Sequence, residues 1–112
     1  MDEIKESLDN LRDTILNSDA FQRYDKIRTE VKLYPEKEKR LYELRRKNYV
    51  LQNSKEKVDM YMEVSRLEQE YSDVYKDPLL NEYLAAEVAV CRIIQQVNRE
   101  IIESLEFEAV LF

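Results

Sequence analysis

Not one glycine occurs in this chain, and its two prolines stand at positions 35 and 78. Tight hairpin turns with positive φ call for glycine, so a glycine-free chain is a poor candidate for an all-β fold. Abundant Leu, Glu, Lys and Arg favour helix instead. The expected fold is all-α: an antiparallel helical bundle with a long C-terminal helix. Asp77 and Pro78 open that helix, the aspartate as a cap for free N–H groups and the proline at the first helical position. Apolar residues then recur at Leu80, Tyr83, Leu84, Ala86, Val90, Ile94, Val97, Ile101 and Leu105, mostly three or four apart, and Leu79, Val88, Cys91 and Ile93 widen the stripe. Such a helix is roughly 40 Å long. It is too long to cover one small core alone, so it is expected to pack against several segments or a second subunit.

The remaining segments follow the same logic. Ile4, Leu8, Leu11 and Ile15 share one face of a first helix, Asp2 to Leu16, with acidic residues in its first turns. Asn17-Ser18-Asp19 breaks the pattern, and Ser18 or Asp19 is expected to cap a second helix, Ala20 to about Leu33. Tyr34 precedes Pro35 and so avoids the helical region. Pro35 opens a third helix reaching about Gln52, with Leu41, Leu44, Asn48 and Leu51 on one stripe. After Asn53-Ser54, a further run carries Met60, Val64, Leu67, Tyr71 and Val74 and continues to about Tyr75. The third and fourth segments form either one bent helix or a hairpin. Among these residues Leu44, Leu67, Tyr83, Val90 and Ile94 are the expected core. A chain of 112 residues is read as one domain.

Charge narrows the function. The net charge is −6, against a general nucleic-acid coat. It is unevenly spread: residues 1–21 carry 2 basic and 6 acidic side chains, residues 22–57 carry 12 and 6, and residues 58–112 carry 4 and 12. The basic centre includes Lys39, Arg40, Arg45, Arg46 and Lys47, beside Tyr42 and Tyr49. Its ordinary reading is a solvated helix face. Its alternative is a direct RNA contact, with cations on phosphate and tyrosines stacking on bases. Reaction chemistry is sparse. There is no histidine, so the commonest general base is missing and a Glu-x-x-His di-iron site is impossible. The single Cys91 reads as a small buried hydrophobe. No phosphate loop or triad-like set is visible. The chain is expected to be neither an enzyme nor the holder of a metal or cofactor. No apolar run approaches the length of a membrane span, and the acidic N-terminus lacks a signal-peptide core, so a cytoplasmic location without membrane insertion is expected.

Two stretches carry a family resemblance. One is Ser18-Asp19-Ala20-Phe21-Gln22-Arg23-Tyr24, a short break followed by an aromatic-bearing helix. The other runs from Asp77-Pro78-Leu79-Leu80-Asn81-Glu82-Tyr83-Leu84-Ala85-Ala86-Glu87 through Val97-Asn98-Arg99-Glu100-Ile101. Their order and spacing resemble the YlbF/YmcA family of small bacterial helical proteins, including its YheA-like members, from about Leu8 to Leu105. The resemblance implies a non-enzymatic cytoplasmic regulator that acts in complexes with sister proteins and with the membrane-anchored endoribonuclease RNase Y. Its implied settings are mRNA processing, competence, sporulation and biofilm formation. Some members have cysteines that help hold iron–sulfur clusters; this chain has only Cys91.

Self-association, or hetero-oligomer formation with sister proteins, is expected to use the long helix and the apolar end of the chain: Leu79, Tyr83, Val90, Ile94, Val97, Ile101, Leu105, Phe107, Leu111 and Phe112. The final eight residues hold six apolar side chains, an unusual ending unless something covers it.

Overall fold

The computed structural model describes residues 1–54 and 59–107. These residues form an all-α fold of six helices with no strand among them: α1 (Asp2–Leu16), α2 (Asp19–Val31), α3 (Pro35–Gln52), α4 (Met60–Glu70), α5 (Ser72–Tyr75) and the long C-terminal α6 (Pro78–Ser104). The chain divides into two compact units, one of residues 1–25 and 85–112 and one of residues 26–84. Helices α2 and α6 contribute residues to both.

Local chemistry explains the boundaries. Asp2 and Glu3 lie in the first turn of α1, where their charge opposes the helix dipole. Its end is held by side chains: Asn17 Nδ2 donates to the Asp13 carbonyl at 2.8 Å and Ser18 Oγ to the Ile15 carbonyl at 2.6 Å. Ser18 is also the residue that caps α2, its Oγ accepting from the Phe21 N–H at 3.3 Å. Helix α2 ends at Val31, two residues short of the expected Leu33. The Leu33 and Tyr34 N–H groups turn back to the Glu30 and Val31 carbonyls, and Tyr34, before Pro35, takes φ −124° and ψ 73°. Helix α3 stops at Gln52, where Asn53 Nδ2 binds the Tyr49 carbonyl at 2.8 Å. Asp59 caps α4 through the Met62 N–H at 3.2 Å.

In the unit of residues 26–84, Ile27, Val31, Leu41, Leu44, Leu67, Tyr71, Val74 and Leu80 are buried. Helices α3 and α4 pair as an antiparallel hairpin: Arg40, early in α3, meets Asp73 beyond α4, and Lys47, later in α3, meets Glu70 at the end of α4. The expected continuous run from Met60 to Tyr75 is broken at Tyr71, which takes φ −111° and ψ 31°. The cause is tertiary. Arg40 Nη2 donates to the Glu70 carbonyl at 3.0 Å, and the Val74 N–H pairs with the Tyr71 carbonyl instead. Asp77 opens α6 as the sequence suggests, accepting from the Leu79 and Leu80 N–H groups at 2.9 and 3.3 Å. Its other carboxylate oxygen is 2.8 Å from Lys37 Nζ.

The unit of residues 1–25 and 85–112 is built differently. Helix α1 buries none of its residues. Only Ala86 and Val90 of the described residues in this unit are buried. Helix α6 ends in a turn where the Glu106 N–H binds the Glu103 carbonyl and the Phe107 N–H binds the Ile102 carbonyl, with Glu106 at φ 53°. Glycine is the usual residue at such a left-handed position; here glutamate takes it.

Candidate functional site

The expected interface residues separate along α6. Leu79 and Tyr83 fall in the unit of residues 26–84 and are partly buried, with the Arg45 guanidinium 5.8 Å from the centre of the Tyr83 ring. Val90 and Ile94 fall in the other unit. Together with Leu8, Leu11 and Ile15 of α1 and Phe21 of α2 they line an open apolar groove of about 280 Å³. The expectation of a core Ile94 fails: its side chain is 53 % exposed, because nothing in its own unit covers the groove. Tyr83 is likewise only partly buried, while Leu44, Leu67 and Val90 are buried as expected.

The apolar strip continues in the same unit. Val97 is half-buried, Ile101 is 49 % exposed, Leu105 71 % and Phe107 63 %. Ile4 and Leu8 of α1 are exposed as well. Leu111 and Phe112 lie outside the described residues. Burying a large apolar side chain fully stabilises by about 1.5–3 kcal/mol, so several half-exposed ones in a row hold a sizeable unrealised driving force. Contiguous apolar surface of this kind marks interaction sites. Periodicity had already placed Ile4, Leu8, Leu11 and Ile15 on one face of α1; that this face stays open was not in the pattern.

Cys91 lies beside this strip on α6 and is exposed, contrary to its expected burial. It follows Val90 by one residue, which turns it away from the buried side. Among the described residues no group of three or more His, Cys, Asp or Glu side chains is placed to hold a metal.

The five cations of the basic centre are sorted by the turn of α3. Arg40 and Lys47 flank the core. Arg40 forms a two-point pair with Asp73, Nε to Oδ2 at 3.1 Å and Nη2 to Oδ1 at 2.7 Å, and its guanidinium lies 4.3 Å from the Tyr71 ring centre. Lys47 binds Glu70 at 2.8 Å and lies 5.0 Å from the same ring. The hydrogen bond to Asp73 raises the Arg40 pKa above its ordinary value, and the same bond lowers that of Asp73. Lys47 is raised in the same way by its hydrogen bond to Glu70. Asp77 is lowered by Lys37 first, helped by the N–H groups it caps. Any phosphate approaching Arg40 or Lys47 meets these carboxylates. Lys39, Arg45 and Arg46 are exposed, as are Tyr42 and Tyr49. A groove of about 550 Å³ between α3 and α4 is lined by Arg46, Lys47, Val50, Leu51, Glu63 and Leu67 among others, mixing both signs of charge with apolar walls.

One unit holds a hairpin tied by ion pairs and the other an open apolar groove between α1, α2 and α6, all within an all-α fold. The family described as control of competence regulator ComK, YlbF/YmcA, matches residues 4–106, and the chain belongs to that family. No curated protein and no solved structure matches the chain. That description supports a regulatory role, the coarser part of what the resemblance implied. No helix among the described residues is long and apolar enough to cross a membrane.

Proposed function

We propose that this chain is a non-enzymatic, cytoplasmic regulatory subunit, without a resident cofactor, that works by binding other proteins through the open face of α1 and α6. The observation that carries this reading is the apolar groove at Val90 and Ile94, continued by the exposed Ile101, Leu105 and Phe107. Sister proteins of the YlbF/YmcA family are the first partners to consider, and RNase Y the second. Competence, sporulation, biofilm control and mRNA processing are the settings the family resemblance implies. The test is titration calorimetry of purified sister proteins and of the soluble part of RNase Y from the same host against the parent, Leu8→Asp and Ile101→Asp. At least tenfold weaker binding by both variants, about 1.4 kcal/mol, supports the reading. Binding unchanged by either variant overturns it.

A second reading has its own observation: Tyr42 and Tyr49 stand exposed on the same helix as the exposed Lys39, Arg45 and Arg46. Cations interleaved with aromatics suit single-stranded RNA. An electrophoretic mobility shift that weakens with salt and is abolished by Lys39→Glu with Arg46→Glu supports direct RNA contact; absence of any shift at low salt refutes it.

A further inference from the structure

We propose that one outward face of α3, carrying Lys39, Tyr42, Arg46 and Tyr49 in that order, is a binding ladder for single-stranded nucleic acid, with the cations on phosphates and the tyrosines stacked on bases. This rests on the reading of α3 as a direct RNA contact and narrows it to four side chains, a strand state and a register.

The helix sets the face. The four residues are three, four and three apart. At about 100° per residue they fall within an arc of about 80°. Leu41 and Leu44 are buried and lie on the far side of the helix from that arc. Tyr42 and Tyr49 are exposed to nearly the same degree, 70 % and 69 %. Lys39 and Arg46 are exposed as well and form no ion pair among the described residues. The other cations of the basic centre are engaged elsewhere. Arg40 and Lys47 hold Asp73 and Glu70, and the Arg45 guanidinium sits beside the Tyr83 ring. What remains is an alternation of cation, ring, cation, ring along one line.

A single strand presents phosphate and base in the same alternation. Cations attract the phosphates, and an aromatic ring accepts any base, because every base has a π-face. Tyr42 and Tyr49 lie about 10.5 Å apart along the helix axis. In a duplex the bases stack on one another at about 3.4 Å per strand, which shields their faces. The ladder therefore suits an opened strand, with one base on each ring and a short stretch between them. Charge complementarity is local: residues 22–57 carry 12 basic and 6 acidic side chains in a chain whose net charge is −6. Glu43, at the edge of the face, is drawn to Arg40 at 3.8 Å. Glu38 borders the Lys39 end, which makes Arg46 the stronger phosphate site. A protein partner would call for an apolar centre depleted of charge, whereas here each ring is flanked by a cation.

The experiment uses the full chain, with labelled oligouridylate of about 16 nucleotides as the probe. Fluorescence anisotropy is expected to show salt-sensitive binding with a log–log slope of about −1.4, the value for two phosphates of a single strand. Arg46→Ala should reduce that slope by about 0.7. Tyr42→Ala and Tyr49→Ala should each weaken binding at least about fivefold and leave the slope unchanged. Tyr42→Trp should keep binding, and the probe should quench its emission, which has no background in a chain without tryptophan. Oligothymidylate distinguishes the sources: equal binding assigns the face to any single strand, and much weaker binding assigns it to RNA through the 2′-hydroxyl. Circular dichroism of each variant confirms that helix content is kept. Equal binding of a duplex of the same length, or of polyglutamate, overturns the ladder. If both alanine variants bind like the parent while Lys39→Glu with Arg46→Glu abolishes binding, the ladder falls and direct RNA contact stands. If the probe does not bind at low salt, both fall.

Discussion

Residues 26–84 and the pair of segments 1–25 and 85–112 are built from the same helical vocabulary with opposite results. The first buries eight large or medium apolar side chains and ties its helices with Arg40–Asp73, Lys47–Glu70 and Lys37–Asp77 pairs. In the second, α1 is amphipathic and buries nothing, and only Ala86 and Val90 are buried among its described residues. An amphipathic helix gains most of its stability from packing its apolar face. The first unit supplies that packing from within; the second leaves much of its apolar face exposed. The lesson is that apolar periodicity identifies a face but not its partner.

The largest effect that separates the units is expected from core truncation. Leu44→Ala should lower stability by about 2–5 kcal/mol in urea unfolding, whereas Leu8→Ala, on an exposed helix face, should stay within about 0.5 kcal/mol in dilute monomer. Equal losses would erase the distinction. A smaller effect concerns acid. Asp73 and Asp77 are both held below their ordinary pKa, by Arg40 and Lys37 respectively. A carboxylate depressed in the folded state contributes stability that is present above its unfolded value, near about 3.9, and is lost as pH falls through its folded value. Melting temperature should therefore hold from neutral pH down to about 4 and fall below it, and Arg40→Ala and Asp77→Asn should each flatten that fall. A variant with the parent's full acid dependence would show that its pair does not hold the unit together. The smallest effect is at the end of α6: Glu106→Gly relieves a left-handed residue with a side chain, a gain of about 1 kcal/mol or less. No gain, or a loss, would show that glycine's extra freedom in the unfolded chain outweighs the relief.

Helix positions were legible because their signals are local. Pro35 and Asp77-Pro78 fix the starts of α3 and α6, and both α1 and α3 span the residues expected of them. The break at Tyr71 was not legible, because it depends on Arg40, thirty residues from Glu70, binding that residue's carbonyl. The basic centre looked like one cluster for a related reason. Only the turn of α3 beside α4 and α5 separates Arg40 and Lys47, paired with carboxylates, from the outward Lys39 and Arg46. Ile94 was assigned to the core because periodicity puts it in line with Val90; the missing information was what covers each of them. Cys91 failed in the same way, one residue away from a buried neighbour.

The central claim is that one unit is complete in itself and the other is completed by a partner. Native-state hydrogen exchange of the full chain at low and high protein concentration tests this most directly, since exchange reads the opening free energy of each helix separately. The account predicts that α3 to α5 exchange slowly and independently of concentration. It predicts that α1 and the Ile94–Ser104 part of α6 exchange faster in dilute protein and become protected as concentration rises or a sister protein is added. Slow exchange of α1 and α6 equal to that of α3 to α5 in dilute protein, unchanged by concentration or partner, would contradict it.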